Sequence, residues 1–407
     1  MIPSTYKTLY LLKKYDVSRQ TLYNWIKNGF ISEPEKDWRG WRIWTDESLN
    51  EIEQIIKLKK HKSETIKIQE EKKLYINNRR YLGSKYKLIN FIKDIVKEEC
   101  GKFHVFSDIF GGTGVVGYTF NNKDNKVIMN DILCSNYLAY KTWFSNEEYD
   151  KTKMIKLINE FNHLEANEEN YVSENFGGKY FTTENAKKIG NIRHEIELLS
   201  SSLTFREKAI LITSLIYAVD KVANTCGHYD AFRKKIDSLQ AVKLQMPAID
   251  DYSNNNNEIY KEDANELVKK ISSDITYIDT PYNSRQYSDS YHLLENIAEW
   301  KKPQVIGVAK KMIDRSKIKS KYCTVKAPLV FDNLVQNLDT KYILVSYNDM
   351  AEKGNGRSNS KISDEEILES LNKRGKIKVF DTDFQYFTTG KTKLVEHKER
   401  IFLCKCT

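Results

Sequence analysis

The chain has 407 residues, which at about 150 residues per domain leads to an expectation of two to three domains with a sizeable buried core. Hydrophobic residues make up 40% and charged residues 30%, with 17 Gly and 6 Pro, a balance that excludes collagen-like and mostly disordered chains. Sixty-five Lys and Arg against 56 Asp and Glu leave a formal charge of +9, a surplus that attracts polyanions without identifying one.

The N-terminus, MIPSTYKTLYLLKKYD, lacks the apolar core of a signal peptide, and no apolar run approaches the roughly 20 residues of a membrane helix. A cytoplasmic protein with no membrane partner is expected. Residues 1–60 read as a separate module. Thr8 to Lys14 forms a short amphipathic helix, Tyr15 and Asp16 a turn, and SRQTLYNWIKNG a second helix capped by Ser18 and ended by Gly29. Its outer face carries Arg19, Gln20, Tyr23, Asn24 and Lys27. Trp38, Trp41 and Trp44, with Arg39 and Arg42 around Gly40, suggest a two-stranded wing, followed by a helix from Asp46. The arrangement resembles the winged helix-turn-helix of the MerR and excisionase type, which implies DNA binding through these residues. A helical docking domain with core tryptophans is the alternative. Residues 61–76 are lysine-rich and polar, a linker or an exposed helix.

From Asn77 the pattern changes to helices alternating with short apolar strands: a helix over 86–96, then strands at HVFSDIF, NKVIMND, DITYIDT and KYILVSYN. This predicts an α/β fold with a doubly wound sheet. The rhythm breaks between Cys134 and Glu258 with a mostly helical stretch that includes LTFREKAILITSLIYAVDKV. The expected division is a catalytic domain over 77–135 and 259–407, with an inserted subdomain over 136–258. The Asn254–Asn257 run and KGNGRSNSK at 353–361 read as loops. Six cysteines form no CxxC pair, so neither a zinc site nor a disulfide framework is indicated; Cys404 and Cys406 suit one face of a last strand.

Three segments carry chemistry. SDIFGGTGVVG places Gly111, Gly112 and Gly114 directly after a strand, where the backbone can turn sharply and approach a ligand. About twenty residues later the next strand ends in Asn130 and Asp131, where an acid can accept from ribose hydroxyls. Both point to a nucleoside pocket, although the full GxGxxG spacing of a dinucleotide site is missing. Asp279-Thr280-Pro281-Tyr282 follows the strand ITYI. The Asp279 carboxylate and the Thr280 carbonyl can both accept from one exocyclic amino group, Tyr282 can stack on the ring, and Pro281 holds Thr280 extended. Such a turn acts by positioning and electrostatics.

Read with Arg80-Tyr81-Leu82-Gly83-Ser84-Lys85, these motifs in this order resemble the D12 class of N6-adenine DNA methyltransferases, the alpha group that includes the Dam enzymes, over residues from about 79 to 350. The resemblance implies a Rossmann-like mixed sheet and S-adenosylmethionine as the methyl donor. On it, Tyr81, Gly83 and Lys85 line the methionine end, Asp108, Phe110, Gly112 and Gly114 form the loop under the cofactor, Asp131 binds ribose, and Asp263 meets the cofactor's adenine. Asp279, Thr280, Pro281 and Tyr282 hold the target base, with Ser346, Tyr347 and Asn348 near the pocket. Thr280 stands where the family usually has proline; its carbonyl can still serve. The inserted segment corresponds to the family's target-recognition region, where KVANTCGHYDAFRKK offers Asn224, His228, Tyr229, Arg233, Lys234 and Lys235 as polar and basic groups for contact with base edges, with Asn224 and His228, alternatively, only stabilising a loop.

The reading is a site-specific adenine-N6 methyltransferase that flips its target from duplex DNA, the modification enzyme of a restriction-modification system with a cognate endonuclease as partner. The alternatives are a cytosine-N4 DNA methyltransferase, an enzyme acting on RNA or a protein amide, and a DNA-binding regulator with a degenerate methyltransferase fold.

Overall fold

The computed structural model describes residues 5–15, 17, 19–27, 29–56, 73–236, 239–250, 256–282, 284–348, 361–382 and 399–407. The Ser18 cap, Asp16 of the turn, most of the 61–76 linker, Asn254, Asn255 and most of the 353–361 loop lie outside these residues. The chain divides into two compact units, Met1–Lys72 and Lys73–Thr407.

In the first unit, α1 (Thr8–Tyr15), α2 (Arg19–Lys27) and α3 (residues 46–56) close over Leu11, Leu22, Trp25, Ile31, Trp44, Leu49 and Ile52. Gly29 takes a positive φ of 71° after α2, and the amide of Phe30 reaches back to the Trp25 carbonyl, the left-handed stop expected of this glycine. Lys36 pairs antiparallel with Arg42 around Gly40 (φ 80°), a short hairpin. Its tryptophans divide: Trp44 is in the core, whereas Trp38 and Trp41 are exposed.

The second unit is built on a seven-stranded sheet in the order β3-β2-β1-β4-β7-β9-β8. The strands are β1 (Val105–Asp108), β2 (Lys126–Asn130), β3 (Glu258–Tyr260), β4 (Ser272–Ile278), β7 (Asp339–Asn348), β8 (Gly375–Thr382) and β9 (Glu399–Cys406). A separate hairpin joins β5 (Val305–Ile306) to β6 (Lys311–Met312). The first five strands of that order run parallel, and β9 lies antiparallel to both β7 and β8. The inner parallel strands β2 and β7 are buried on both faces at 127–129 and 343–345, which is why these stretches read as continuous apolar runs.

One face is covered by α4 (Ile89–Ile95), α5 (Val115–Phe120), α6 (Cys134–Trp143), α7 (Lys151–His163), α8 (Tyr171–Phe176), α9 (Thr183–Leu198) and α10 (Phe205–Val222), with α13 (His292–Glu299). The other carries α11 (Ala264–Leu267), α14 (Ala327–Gln336) and α15 (Asp364–Asn372). The short α12 (Tyr287–Ser290) precedes α13. Helix α10 starts in a reciprocal cap, in which the Thr204 hydroxyl accepts from Glu207 N and the Glu207 carboxylate from Thr204 N. Its residues 209–219 are all buried, so the longest apolar helix of the inserted stretch is a core element beside the sheet. Among the described residues no helix is long and apolar enough to cross a membrane.

Strand β1 has β2 on one side and β4 on the other, so the chain leaves it in opposite directions and a crevice opens beyond the carboxyl ends of these strands. That is where open α/β sheets bind ligands.

Candidate active site

The crevice contains a cavity of about 180 Å³, more than ten times the roughly 10–15 Å³ that one water needs. Its lining includes Tyr81, Gly83, Lys85, Asp108, Phe110, Gly112, Asp131, Asp263, Asp279 and Pro281. The register explains the convergence: Asp108 pairs with Tyr277, so the 111–114 bend and the 279–282 turn leave adjacent strands at the same rim.

The bend is made by conformations that favour glycine. Gly112 and Gly114 have φ of 52° and 81°, and a Cβ on Gly112 would sit 3.1 Å from the Tyr81 ring. Tyr140 accepts this tight geometry by donating its hydroxyl to the Gly112 carbonyl (2.9 Å). Beneath it, Asp108 is fully buried. Its Oδ2 accepts from Gly117 N (3.2 Å), while Oδ1 has no partner among the described residues. Burial, and then the neighbouring Asp279 and Asp131 carboxylates, push this acid up to about 8.

Asp131 is held by three donors, Leu133 N (2.8 Å), Gly112 N (3.1 Å) and Asn136 Nδ2 (2.8 Å), and burial raises its pKa. Asn136 Nδ2 also lies 3.2 Å from the Tyr81 hydroxyl, and Tyr81 stacks on Tyr291 at 4.6 Å between ring centres. Across the cavity Phe110 meets Tyr322 edge-on at 5.1 Å. Asp263 is exposed and caps α11 through Asn265 N (2.9 Å).

At the second turn, Asp279 keeps 18% of its side chain open. Its Oδ1 accepts from the Lys85 ammonium at 2.8 Å, and the same ammonium lies 3.4 Å from Glu399 and 3.2 Å from the Gly83 carbonyl. Burial pushes Asp279 up to about 6, with Lys85 drawing it down and Glu399 adding to the rise. Thr280 is buried, and its hydroxyl has no partner among the described residues. The Tyr282 hydroxyl lies 3.4 Å from where a Gly83 Cβ would stand, and its ring meets Tyr347 edge-on at 6.1 Å. Ser346 is buried in β7.

The remaining candidates lie elsewhere. Asn224 is 4% exposed and donates to the Lys179 and Arg233 carbonyls (3.0 and 2.9 Å), so it ties a loop together and presents no edge for a base. His228 is half-buried beside Asp230 at 3.8 Å, and Arg233 and Lys234 are exposed. In the first unit, Arg19, Gln20, Tyr23, Asn24 and Lys27 are not in the core: Arg19, Gln20, Tyr23 and Asn24 are exposed and Lys27 is at the surface end of α2. Arg39 and Arg42 pair with Asp37 (3.1 Å) and Glu33 (3.0 Å). Sequence reasoning missed Tyr287, Tyr291, Tyr322 and Glu399. The first three were legible only as aromatics in helical stretches, and Glu399 carried no local signal.

A cavity at the switch point of a mostly parallel sheet, with Asp279 and Pro281 of the tetrapeptide on its wall, is consistent with a Rossmann-like methyltransferase architecture. Residues 81–356 match the family of D12 class N6 adenine-specific DNA methyltransferases, and the chain belongs to that family. It is similar to the modification methylase StsI of Streptococcus sanguinis, 40% identical over 289 residues covering 66% of this chain and 44% of the relative. The Type II methyltransferase M.NlaIII of Neisseria lactamica is 32% identical over 331 residues, 78% of this chain and 95% of the relative. M.FokI of Planomicrobium okeanokoites is 36% identical over 292 residues, 66% of this chain and 44% of the relative. The chain thus spans under half the length of StsI and M.FokI.

Proposed function

We propose that this chain transfers a methyl group from S-adenosylmethionine to N6 of an adenine in duplex DNA, as the modification enzyme of a restriction-modification system with a cognate endonuclease as partner. The observation that carries the reading is that Gly111, Gly112 and Thr113 of the bend and Asp279 and Pro281 of the turn line one cavity at the ends of adjacent strands. S-adenosylmethionine, when bound, supplies an electrophilic methyl on a sulfonium. The residues present fit that group. Asp108 offers a buried, unpartnered carboxyl oxygen suited to an ammonium, Asp131 an acid suited to ribose hydroxyls, and Phe110 and Tyr322 flat apolar walls.

The chain's own part is positioning. The Asp279 carboxylate and the Thr280 carbonyl accept from the exocyclic amino group, Tyr282 supports the ring, and Pro281 fixes Thr280. Adenine must leave the stack to reach them. The first unit we read as a winged helix-turn-helix that contacts DNA through α2, and residues 136–258 as an inserted target-recognition subdomain with Arg233 and Lys234 on its open side. The names of the relatives, modification methylase and Type II methyltransferase, support the restriction-modification setting.

The test is Asp279→Ala in the full chain, with methyl transfer to duplex DNA and cofactor affinity measured separately. A loss of transfer by at least about 100-fold with S-adenosylmethionine still bound supports the assignment. Transfer at the wild-type rate overturns it.

A further inference from the structure

We propose that Glu399, the first residue of β9, is a positioning residue of this reaction: it offers the Lys85 ammonium a second carboxylate, so that an incoming adenine amino group can take Asp279 from the lysine. The inference rests on the reading of Asp279 as the acceptor of that amino group, and it concerns a residue beyond the 81–356 segment that matches the family.

Lys85 is 4% exposed, and the acceptors around its ammonium include Asp279 Oδ1 at 2.8 Å, the Gly83 carbonyl at 3.2 Å and Glu399 Oε1 at 3.4 Å. An ammonium only donates, so acceptors of this kind suit it. The shortest contact falls on the very carboxylate that must accept from substrate. An ammonium held there neutralises the charge that would otherwise draw a neutral amino group. Moving a buried ammonium away from its counter-charge is costly unless another anion receives it. Glu399, itself 2% exposed, stands within ion-pair distance of the same ammonium, so a small shift of Nζ exchanges one carboxylate for the other.

The sheet explains why Glu399 is there. Parallel strands deliver their last residues to the ligand rim, and only a strand running the other way delivers its first. β9 is antiparallel to β7 with Glu399 opposite Asn348, three positions past the Val345 that pairs with Ile278 just before Asp279. Asp279 is faced by Lys85 from the 81–85 segment, Glu399 from β9, Asp108 from β1, Tyr277 from its own strand and Tyr287 from α12.

The experiment uses the full-length protein with Glu399→Gln and Glu399→Asp, and measures kcat, KM for DNA and for S-adenosylmethionine, and the dependence of kcat on pH. Glu399→Gln removes a negative charge beside Asp279 and leaves Lys85 on it. Both effects favour the ionised acid, so the acidic limb is expected to move down by roughly one pH unit. At pH 8 kcat is expected to fall about 10- to 100-fold, with KM for S-adenosylmethionine unchanged. Glu399→Asp, which keeps the charge, is expected to hold the limb in place and recover part of kcat. Wild-type kcat with an unmoved limb in Glu399→Gln overturns the proposal, as does a lowered kcat with an unmoved limb and a raised cofactor KM, the mark of a purely structural role. If Glu399→Gln does not fold, Glu399→Asp decides: a reduced kcat with cofactor binding intact supports the proposal, and an unchanged kcat overturns it. Failure of the underlying reading looks different, because then Asp279→Ala itself retains transfer.

Discussion

On the proposed reading Asp279 accepts from the target's amino group, and its ionisation is set by its surroundings. Burial pushes this acid up to about 6, so the ionised acceptor is half-populated there, nearly complete about a unit above, and lost as pH falls further. The rate of methyl transfer is expected to fall about tenfold per unit as pH drops below 6, and a profile flat down to pH 5 would contradict this. Asp108 gives a second consequence. Its folded-state value of about 8 lies above the ordinary 3.8, so the folded chain holds this proton more tightly than the unfolded one between those limits. The group's contribution to stability therefore falls as pH rises from about 4 to 8 and is lowest beyond. Asp108→Asn stays neutral and keeps an acceptor for Gly117 N. Without cofactor, its Tm is expected to exceed that of the wild type by a few degrees at pH 8 and by less at pH 5, while its affinity for S-adenosylmethionine drops. A gap that does not widen with pH would sink this account. Asp279 was legible as a strand-end acid, and Asp108 through the resemblance. Their charged surroundings were not, because these come from distant parts of the chain: Lys85 lies 194 residues from Asp279, and Asp108 feels Asp279 from the neighbouring strand.

Elements explain which motifs have to be glycine and which polar residues are structural. Gly114 caps α5 in the left-handed region, and a Cβ there would lie 3.0 Å from the Tyr140 ring and 3.1 Å from Ile76. Gly114→Ala is expected to cost about 1–2 kcal/mol and to weaken cofactor binding, read by thermal denaturation and calorimetry. The inserted stretch gives a contrasting pair. Asn224→Ala removes a buried donor that bonds two part-buried carbonyls, at a cost of about 1–2 kcal/mol, whereas Arg233→Ala, at the surface, is expected to leave Tm unchanged and raise KM for DNA. Equal effects of the two on stability would contradict the placement. The strands beside the chemistry were readable because short β-branched and aromatic stretches, such as ITYI in β4, end in the acids of the motifs, and β2 and β7 carry buried apolar runs at 127–129 and 343–345. β3 is only three residues long, and β8 is an edge strand with mixed exposure, so neither announces itself. The last strand was suggested by the spacing of Cys404 and Cys406, but its antiparallel insertion between β7 and β8 is a tertiary choice that no local pattern encodes.

At the scale of the molecule, the chain joins a small unit with an exposed polar helix face to a larger one containing the cavity at the strand ends. If the α2 face touches phosphates, Arg19→Ala with Lys27→Ala in the intact chain is expected to reduce the slope of log affinity against log salt by about one for each phosphate that these side chains neutralise. An unchanged slope would remove the first unit from DNA binding. The order of the motifs and their places at strand ends were legible along the sequence because the fold fixes both; the partners of Lys85 were not, since its two carboxylates lie 194 residues and, by its number, still further along the chain. The most direct measurement is mass spectrometry of nucleosides released from duplex DNA after incubation with the protein and S-adenosylmethionine labelled in its methyl group. Label in N6-methyladenine, absent when Asp279→Ala replaces the wild type, is the predicted result; label in N4-methylcytosine, or in no base at all, would contradict it.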